Sequence, residues 1–168
     1  MAFPVFFYAY LKLGGADMKA QYLTPAVTVF DNNGNVDAQG CCKLYDHLIS
    51  GGIDGIVVMG STGEFFEMTM DEIKRLIDIS TQHCKGRTRL LIGTSRMIAD
   101  ETIELGNYAI EKGADGVMII SPYYFQLSDE SIEYYYDLVD VYKRQQLELV
   151  LNTSIKMFLL CRFQTKIL

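Results

Sequence analysis

Between residues 24 and 142 the chain changes rhythm four times, each time from a short apolar run to a longer stretch with apolar residues three or four apart. Val27-Thr28-Val29-Phe30 is apolar and β-branched and predicts a first strand, closed by the turn residues Asp31-Asn32-Asn33-Gly34. From Ala38 to Ser50, Cys41, Leu44, Tyr45, Leu48 and Ile49 share one helical face, and Gly51 and Gly52 end the helix. Gly55–Met59 is continuously apolar and predicts a strand covered on both sides. Thr69-Met70-Asp71-Glu72 reads as a capping box, opening a helix with the stripe Ile73, Leu76, Ile77 and Cys84. Arg89–Ile92 predicts a third strand, followed by a helix capped by Asp100 and stopped at Gly113. Gly116–Ile120 predicts a fourth strand. Ser128, with Asp129 and Glu130 behind it, starts a helix carrying Ile132, Tyr135, Tyr136 and Val139.

The repeat is visible in the residues themselves. Gly52-Ile53-Asp54-Gly55 and the run to Met59 align with Gly113-Ala114-Asp115-Gly116 and the run to Ile120, an offset of two strand–helix units of roughly 30 residues each. Alternating units with buried strands predict an α/β fold with a parallel sheet and right-handed crossovers. A (β/α)8 barrel and a doubly wound sheet both fit, and 168 residues supply only half of a barrel, which takes about 250. A flavodoxin-like domain fits less well, because Asp31-Asn32-Asn33-Gly34 puts a negative charge where a phosphate loop would lie.

Both ends break the pattern. Residues 1–17 have no basic start before their apolar run and no small-residue cleavage site after it, so they read as a non-native or disordered extension rather than a secretion signal. Residues 18–142 read as the first half of a barrel. Residues 143–168 form an off-pattern tail with a possible strand at Leu147–Leu151, suggesting truncation or a frame error. A half-barrel alone would expose the apolar inner faces of its strands.

Charge and cysteine usage narrow the function classes. A net charge of −6 argues against sequence-blind nucleic-acid binding and against a polybasic membrane patch. Cys41, Cys42, Cys84 and Cys161 show no CxxC spacing and read as reduced thiols of a cytoplasmic protein. The two histidines, His47 and His83, fall on helices away from the strand ends and read as solvated or structural, with no metal role.

In either α/β architecture, chemistry gathers at the carboxyl ends of the strands. There, Gly60-Ser61-Thr62-Gly63-Glu64 places two hydroxyls between two glycines, a small cradle suited to a carboxylate and lacking the GK[ST] ending of a phosphate loop. Ser121-Pro122-Tyr123-Tyr124 offers phenols that could relay a proton within a hydroxyl chain, or simply pack at an interface. The Tyr134-Tyr135-Tyr136 cluster reads as packing.

Taken in order, Thr28-x-Phe30-Asp31-x-x-Gly34-x-Val36-Asp37, Gly52-x-Asp54-Gly55, Gly60–Glu64, Gly113–Gly116 and Ser121–Tyr124 resemble the dihydrodipicolinate synthase / N-acetylneuraminate lyase family. The resemblance implies a partial (β/α)8 TIM barrel of about four βα units and a class I, Schiff-base chemistry on pyruvate or other 2-keto acids, with no cofactor and no metal. By position, Thr62 resembles the residue that binds the pyruvate carboxylate through hydroxyl and backbone N–H, with Gly63 beside it. Ser61 and Tyr124 resemble members of the proton relay, and Tyr124 can reach a neighbouring subunit of a homo-oligomer. Glu64 is expected to steady the turn, and Arg96 to meet an acidic substrate end. Val29, where many members have proline, and the Leu91–Thr94 and Asp100–Leu105 segments lean toward the 2-keto-3-deoxy sugar-acid aldolases. The family's Schiff-base lysine has no match here: Lys43, Lys74, Lys85, Lys112 and Lys143 fall on or beside helices and Lys156 in the tail. The chain alone is therefore expected to be inactive. The alternative is a non-catalytic half-barrel that binds a partner.

Overall fold

A computed structural model describes residues 7–11 and 22–144 of the chain, with side chains described for 22–139. The elements are β1 (Phe7–Leu11), β2 (Leu23–Pro25), α1 (Ala38–Ser50), β3 (Gly55–Val58), α2 (Met70–Cys84), β4 (Arg89–Gly93), α3 (Ala99–Lys112), β5 (Gly116–Ile120) and α4 (Asp129–Arg144), with a single 3-10 turn at Ser61–Gly63. The sheet order is β1-β5-β4-β3-β2. Strands β2 to β5 are parallel and alternate with helices, the arrangement of part of a (β/α)8 barrel. Register is set by Gly55 beside Arg89 and Leu91 beside Gly116.

The helices form where their sequence signals lie. Asp37 caps α1 by accepting from the amides of Gln39 and Gly40 at 3.0 and 3.1 Å. Asp37→Ala is expected to cost about 1 kcal/mol, read as a melting temperature lower by roughly 2–4 °C. Thr69 and Glu72 form the reciprocal capping box of α2, with the Thr69 amide 2.8 Å from the Glu72 carboxylate. The stripe Ile73, Leu76, Ile77 and Cys84 is buried against Ile56, Val58, Leu90 and Ile92, on the helix side of the sheet. Tyr45 of α1 is fully buried beside them. Burial also pushes the Cys84 thiol up to about 11, and Cys41, Cys42 and Cys84 are all free.

Four expectations need correction. The first strand lies earlier, at Leu23–Pro25. Ala26 still donates to Val57 at 2.9 Å, but Val27–Val29 runs beside the point where β3 has already turned away, and among the described residues no strand pairs with it. Phe30 instead bridges Val36 across the Asp31–Asn35 turn. The strand at residue 55 stops at Val58, because Met59 takes a left-handed conformation with φ +59°. Asp100 is not a cap: α3 begins at Ala99 behind Ile98, and Asp100 and Glu101 lie in its first turn, where negative charge meets the positive helix end. The inner face of the strands is only partly bare: Met118 and Ile120 of β5 are half-buried. Val57 and Leu91 alternate with the helix-facing residues and stand apart from that cluster, yet both are buried.

Phe7–Leu11, set aside in the sequence as part of an extension, forms β1 and pairs antiparallel with the outer edge of β5, Phe7 opposite Ile120 and Leu11 opposite Gly116. The possible strand at Leu147–Leu151, Cys161 and Lys156 lie outside the described residues. Among the described residues no helix is long and apolar enough to cross a membrane.

Candidate functional site

The carboxyl end of β3 carries a tightly constrained backbone. The two non-glycine residues with positive φ among the described residues, Met59 at +59° and Glu64 at +58°, bracket Gly60–Gly63. Left-handed backbone is costly for side-chain-bearing residues and persists only where surrounding contacts impose it. Those contacts are visible. Gly63 donates to the Gly60 carbonyl at 2.8 Å and Glu64 to that of Ser61 at 3.2 Å, closing the 3-10 turn. The buried Thr28 hydroxyl donates to the Gly63 carbonyl at 2.6 Å. On the other side Gly93 of β4 makes room: a Cβ there would lie 2.0 Å from the Met59 carbonyl oxygen.

This turn leaves Ser61 and Thr62 exposed above the sheet, beyond Gly60, whose nearest side chains are Met118 and Val57 of the inner face. The amides of Ser61 and Thr62 open a 3-10 turn, where no internal acceptor exists for them. Two free amides and two hydroxyls at one rim can hold a small anion such as a carboxylate.

The loop after β5 approaches the same rim. Tyr123 packs edge-on against Phe65, ring centroids 5.7 Å apart, so the segments after β3 and β5 touch. Tyr124 stands next to it, 77% exposed, its ring against Phe125 at 4.7 Å. Among the described residues no hydrogen bond joins its hydroxyl to Ser61 or Thr62. The aromatic contact thus brings the two loops together, while Tyr124 stays exposed.

Glu64 and Arg96 both bond within the fold. Glu64 steadies the turn through its backbone, and its carboxylate bonds no described residue. Arg96 is occupied: its guanidinium donates to Glu101 at 3.0 Å and to the Met68 carbonyl at 3.4 Å, tying the loops after β3 and β4 together.

Behind the rim lies a network the sequence reading missed. Fully buried Thr102 accepts from the Arg96 amide at 3.0 Å and meets the Tyr135 hydroxyl at 2.9 Å, and that hydroxyl reaches the Arg96 carbonyl at 3.1 Å. Burial pushes the Tyr135 phenol up, while its bond to Thr102 opposes the shift. Ser95, also buried, accepts from the Ile120 amide at 2.9 Å. These bonds fix the loop after β4 between α3, α4 and β5. The histidines lie elsewhere: His83 and Arg87 of the α2 end hold Asp46 of α1 at 2.8 and 2.6 Å. Hydrogen bonds to both hold the Asp46 carboxyl below its ordinary range.

The model of the dihydrodipicolinate synthetase family matches residues 18–152. YagE of Escherichia coli K12, proposed to be a 2-dehydro-3-deoxy-D-gluconate aldolase, is 38% identical over 117 residues, covering 70% of this chain and 39% of YagE. The 4-hydroxy-tetrahydrodipicolinate synthase of Bacillus subtilis is 37% identical over 109 residues, covering 65% of this chain and 38% of the synthase. Among solved structures, YagE in complex with pyruvate superposes with a TM-score of 0.69 at 36% identity, over 73% of this chain and 41% of YagE. The N-acetylneuraminate lyase of Fusobacterium nucleatum shares the fold, with a TM-score of 0.68 at 24% identity over 73% of this chain and 42% of the lyase. The chain spans about two fifths of these relatives.

Proposed function

The chain belongs to the dihydrodipicolinate synthetase family, and on that footing we propose that residues 18–142 form the keto-acid-gripping half of a Schiff-base, pyruvate-dependent carbon–carbon lyase. The observation that carries this reading is the imposed left-handed bracket at Met59 and Glu64, which sets the Ser61–Thr62 turn at a strand's carboxyl end. Thr62 would hold the carboxylate of pyruvate through its hydroxyl and amide. Ser61 would join Tyr124 in moving a proton, with Tyr124 free to reach a neighbouring subunit because it is exposed. The substrate class is 2-keto-3-deoxy sugar acids on cleavage, or pyruvate and an aldehyde on condensation. The similarity to YagE supports it.

The Schiff base needs an amine that attacks the keto carbon with loss of water, so that the resulting imine can draw electrons from C3. Lys43, Lys74, Lys112 and Lys143 lie on helices and Lys85 ends α2, so among the described residues no lysine stands at a strand's carboxyl end. Hydrogen bonds to Glu104 and Asp78 raise the pKa of Lys74 and Lys112, the wrong direction for a nucleophile. This chain is therefore expected to bind the keto acid without capturing it.

Titration of the isotope-labelled chain with sodium pyruvate is expected to shift the amides of Gly60–Glu64. Thr62→Val should weaken the binding roughly ten-fold or more, since a hydrogen bond to a charged group is worth about 1.5–3 kcal/mol. Borohydride added after pyruvate should leave the intact mass unchanged. Shifts confined to another surface would end the keto-acid reading, and a lysine adduct would end the inactive-chain reading. A second reading, a non-catalytic binding module, draws on the covered β5 edge and the buried Val57 and Leu91. It requires the chain to be silent to pyruvate in the same titration.

A further inference from the structure

We infer that Thr28 is a positioning residue for the carboxylate cradle, a role that rests on the keto-acid reading of Ser61 and Thr62. Thr28 lies 35 residues from its partner and belongs to no strand, yet its hydroxyl is buried and donates to the Gly63 carbonyl at 2.6 Å. That bond anchors the peptide between Gly63 and Glu64, the one that must rotate for Glu64 to reach φ +58°. The same segment abuts the turn from the other side: a Cβ at Gly63 would lie 3.2 Å from the Ala26 carbonyl oxygen and 3.5 Å from the Thr28 hydroxyl. Residues 26–28 therefore act as a fixed wall, located by the bond from the Ala26 amide to Val57 of β3.

The geometry ties Thr28 to ligand binding as well as to packing. The 3-10 turn is a single turn, with one amide bonded to Gly60 and one to Ser61. Nothing else described holds the Gly63 carbonyl, so without the Thr28 hydroxyl the left-handed Glu64 loses the contact that imposes it. The turn would then relax toward ordinary backbone, and the amides of Ser61 and Thr62 would swing from the common point where they can share one anion. Recognition by converging short bonds fails on displacements of about 1 Å.

The test uses the full chain, sodium pyruvate as probe, and two variants. Thr28→Val keeps the shape and removes the donor, and Thr28→Ser keeps the donor and removes a methyl group. Thr28→Val is expected to weaken pyruvate binding roughly ten-fold or more, with a melting temperature within about 4 °C of the native chain. It should also speed hydrogen exchange at the Gly63 and Glu64 amides. Thr28→Ser should restore binding to within about three-fold of native, because the donor is what matters. Native affinity in Thr28→Val overturns the proposal. So does equal weakening in both variants, in step with melting temperature, which would mark a packing role only. A native chain that gives no pyruvate-dependent shifts overturns the keto-acid reading itself, and is recognised before any substitution is made.

Discussion

Gly93→Ala is expected to be the most damaging single-methyl change in the described chain, costing about 3 kcal/mol and lowering the melting temperature by roughly 6–12 °C. The added Cβ would lie 2.0 Å from the Met59 carbonyl oxygen, 2.7 Å from its carbon and 3.3 Å from the Gly60 nitrogen. All three are main-chain atoms of the turn after β3, so no side chain can swing aside. Relief requires β3 and β4 to part or Met59 to leave its left-handed state, and either breaks the cradle. Gly52→Ala and Gly86→Ala are the controls: both sites have positive φ, +80° and +72°, but open space around them. Each should cost only about 1–2 kcal/mol, the backbone penalty alone. Urea denaturation ranks the three, and a Gly93→Ala chain as stable as the Gly52→Ala chain would refute the clash. The Gly93→Ala chain should also lose the pyruvate-dependent shifts at Ser61 and Thr62.

The second large effect belongs to Thr102. Its hydroxyl serves the Arg96 amide and the Tyr135 phenol at once, in a site with no exposure. Thr102→Val fills the same space and leaves the Arg96 amide without its acceptor, an expected loss of about 2–3 kcal/mol. Thr102→Ser, which keeps the oxygen, should lose much less. If the two variants melt together, the hydroxyl network contributes nothing and the loop after β4 is held by packing. The pair also separates the network from the site: Thr102→Ser should retain pyruvate binding, since it touches neither Thr28 nor the turn.

The helices and the order of elements were legible in the sequence because their signals are local. The Thr69–Glu72 box, Gly113 and the apolar stripe of α2 act within a few residues of themselves, and each is found where its chemistry predicts. The repeated Gly-x-Asp-Gly runs likewise mark the entries to β3 and β5. Val27–Val29 misled because β-branched residues favour extended backbone whether or not a partner strand is present, and here the partner has turned away. Asp100 misled because an acidic residue suits both the cap and the first turn.

At the site, the residues Ser61, Thr62 and Tyr124 were nameable, but what shapes their surroundings was not. Gly93 and Thr28 act across 34 and 35 residues, on Met59 and Gly63 respectively. No spacing rule links a strand-end glycine to the carbonyl of a neighbouring strand. The Arg96–Glu101 pair is the instructive case. A lone arginine near strand ends suggests an anion, yet Glu101, in the first turn of α3, pairs with it. Charge near a site says little until every nearby counter-charge has been placed.

The left-handed Met59 has a further consequence for how the chain acquires its ligand-holding ability. That backbone state sits directly against Gly93 of the neighbouring strand, which leaves room for the Met59 carbonyl. A partly folded chain could therefore show full helical circular dichroism while remaining blind to small anions. Affinity should emerge in the last phase of refolding, together with the docking of β3 on β4. Keto-acid recognition would then double as a reporter of that docking, more sensitive than any measure of helix content.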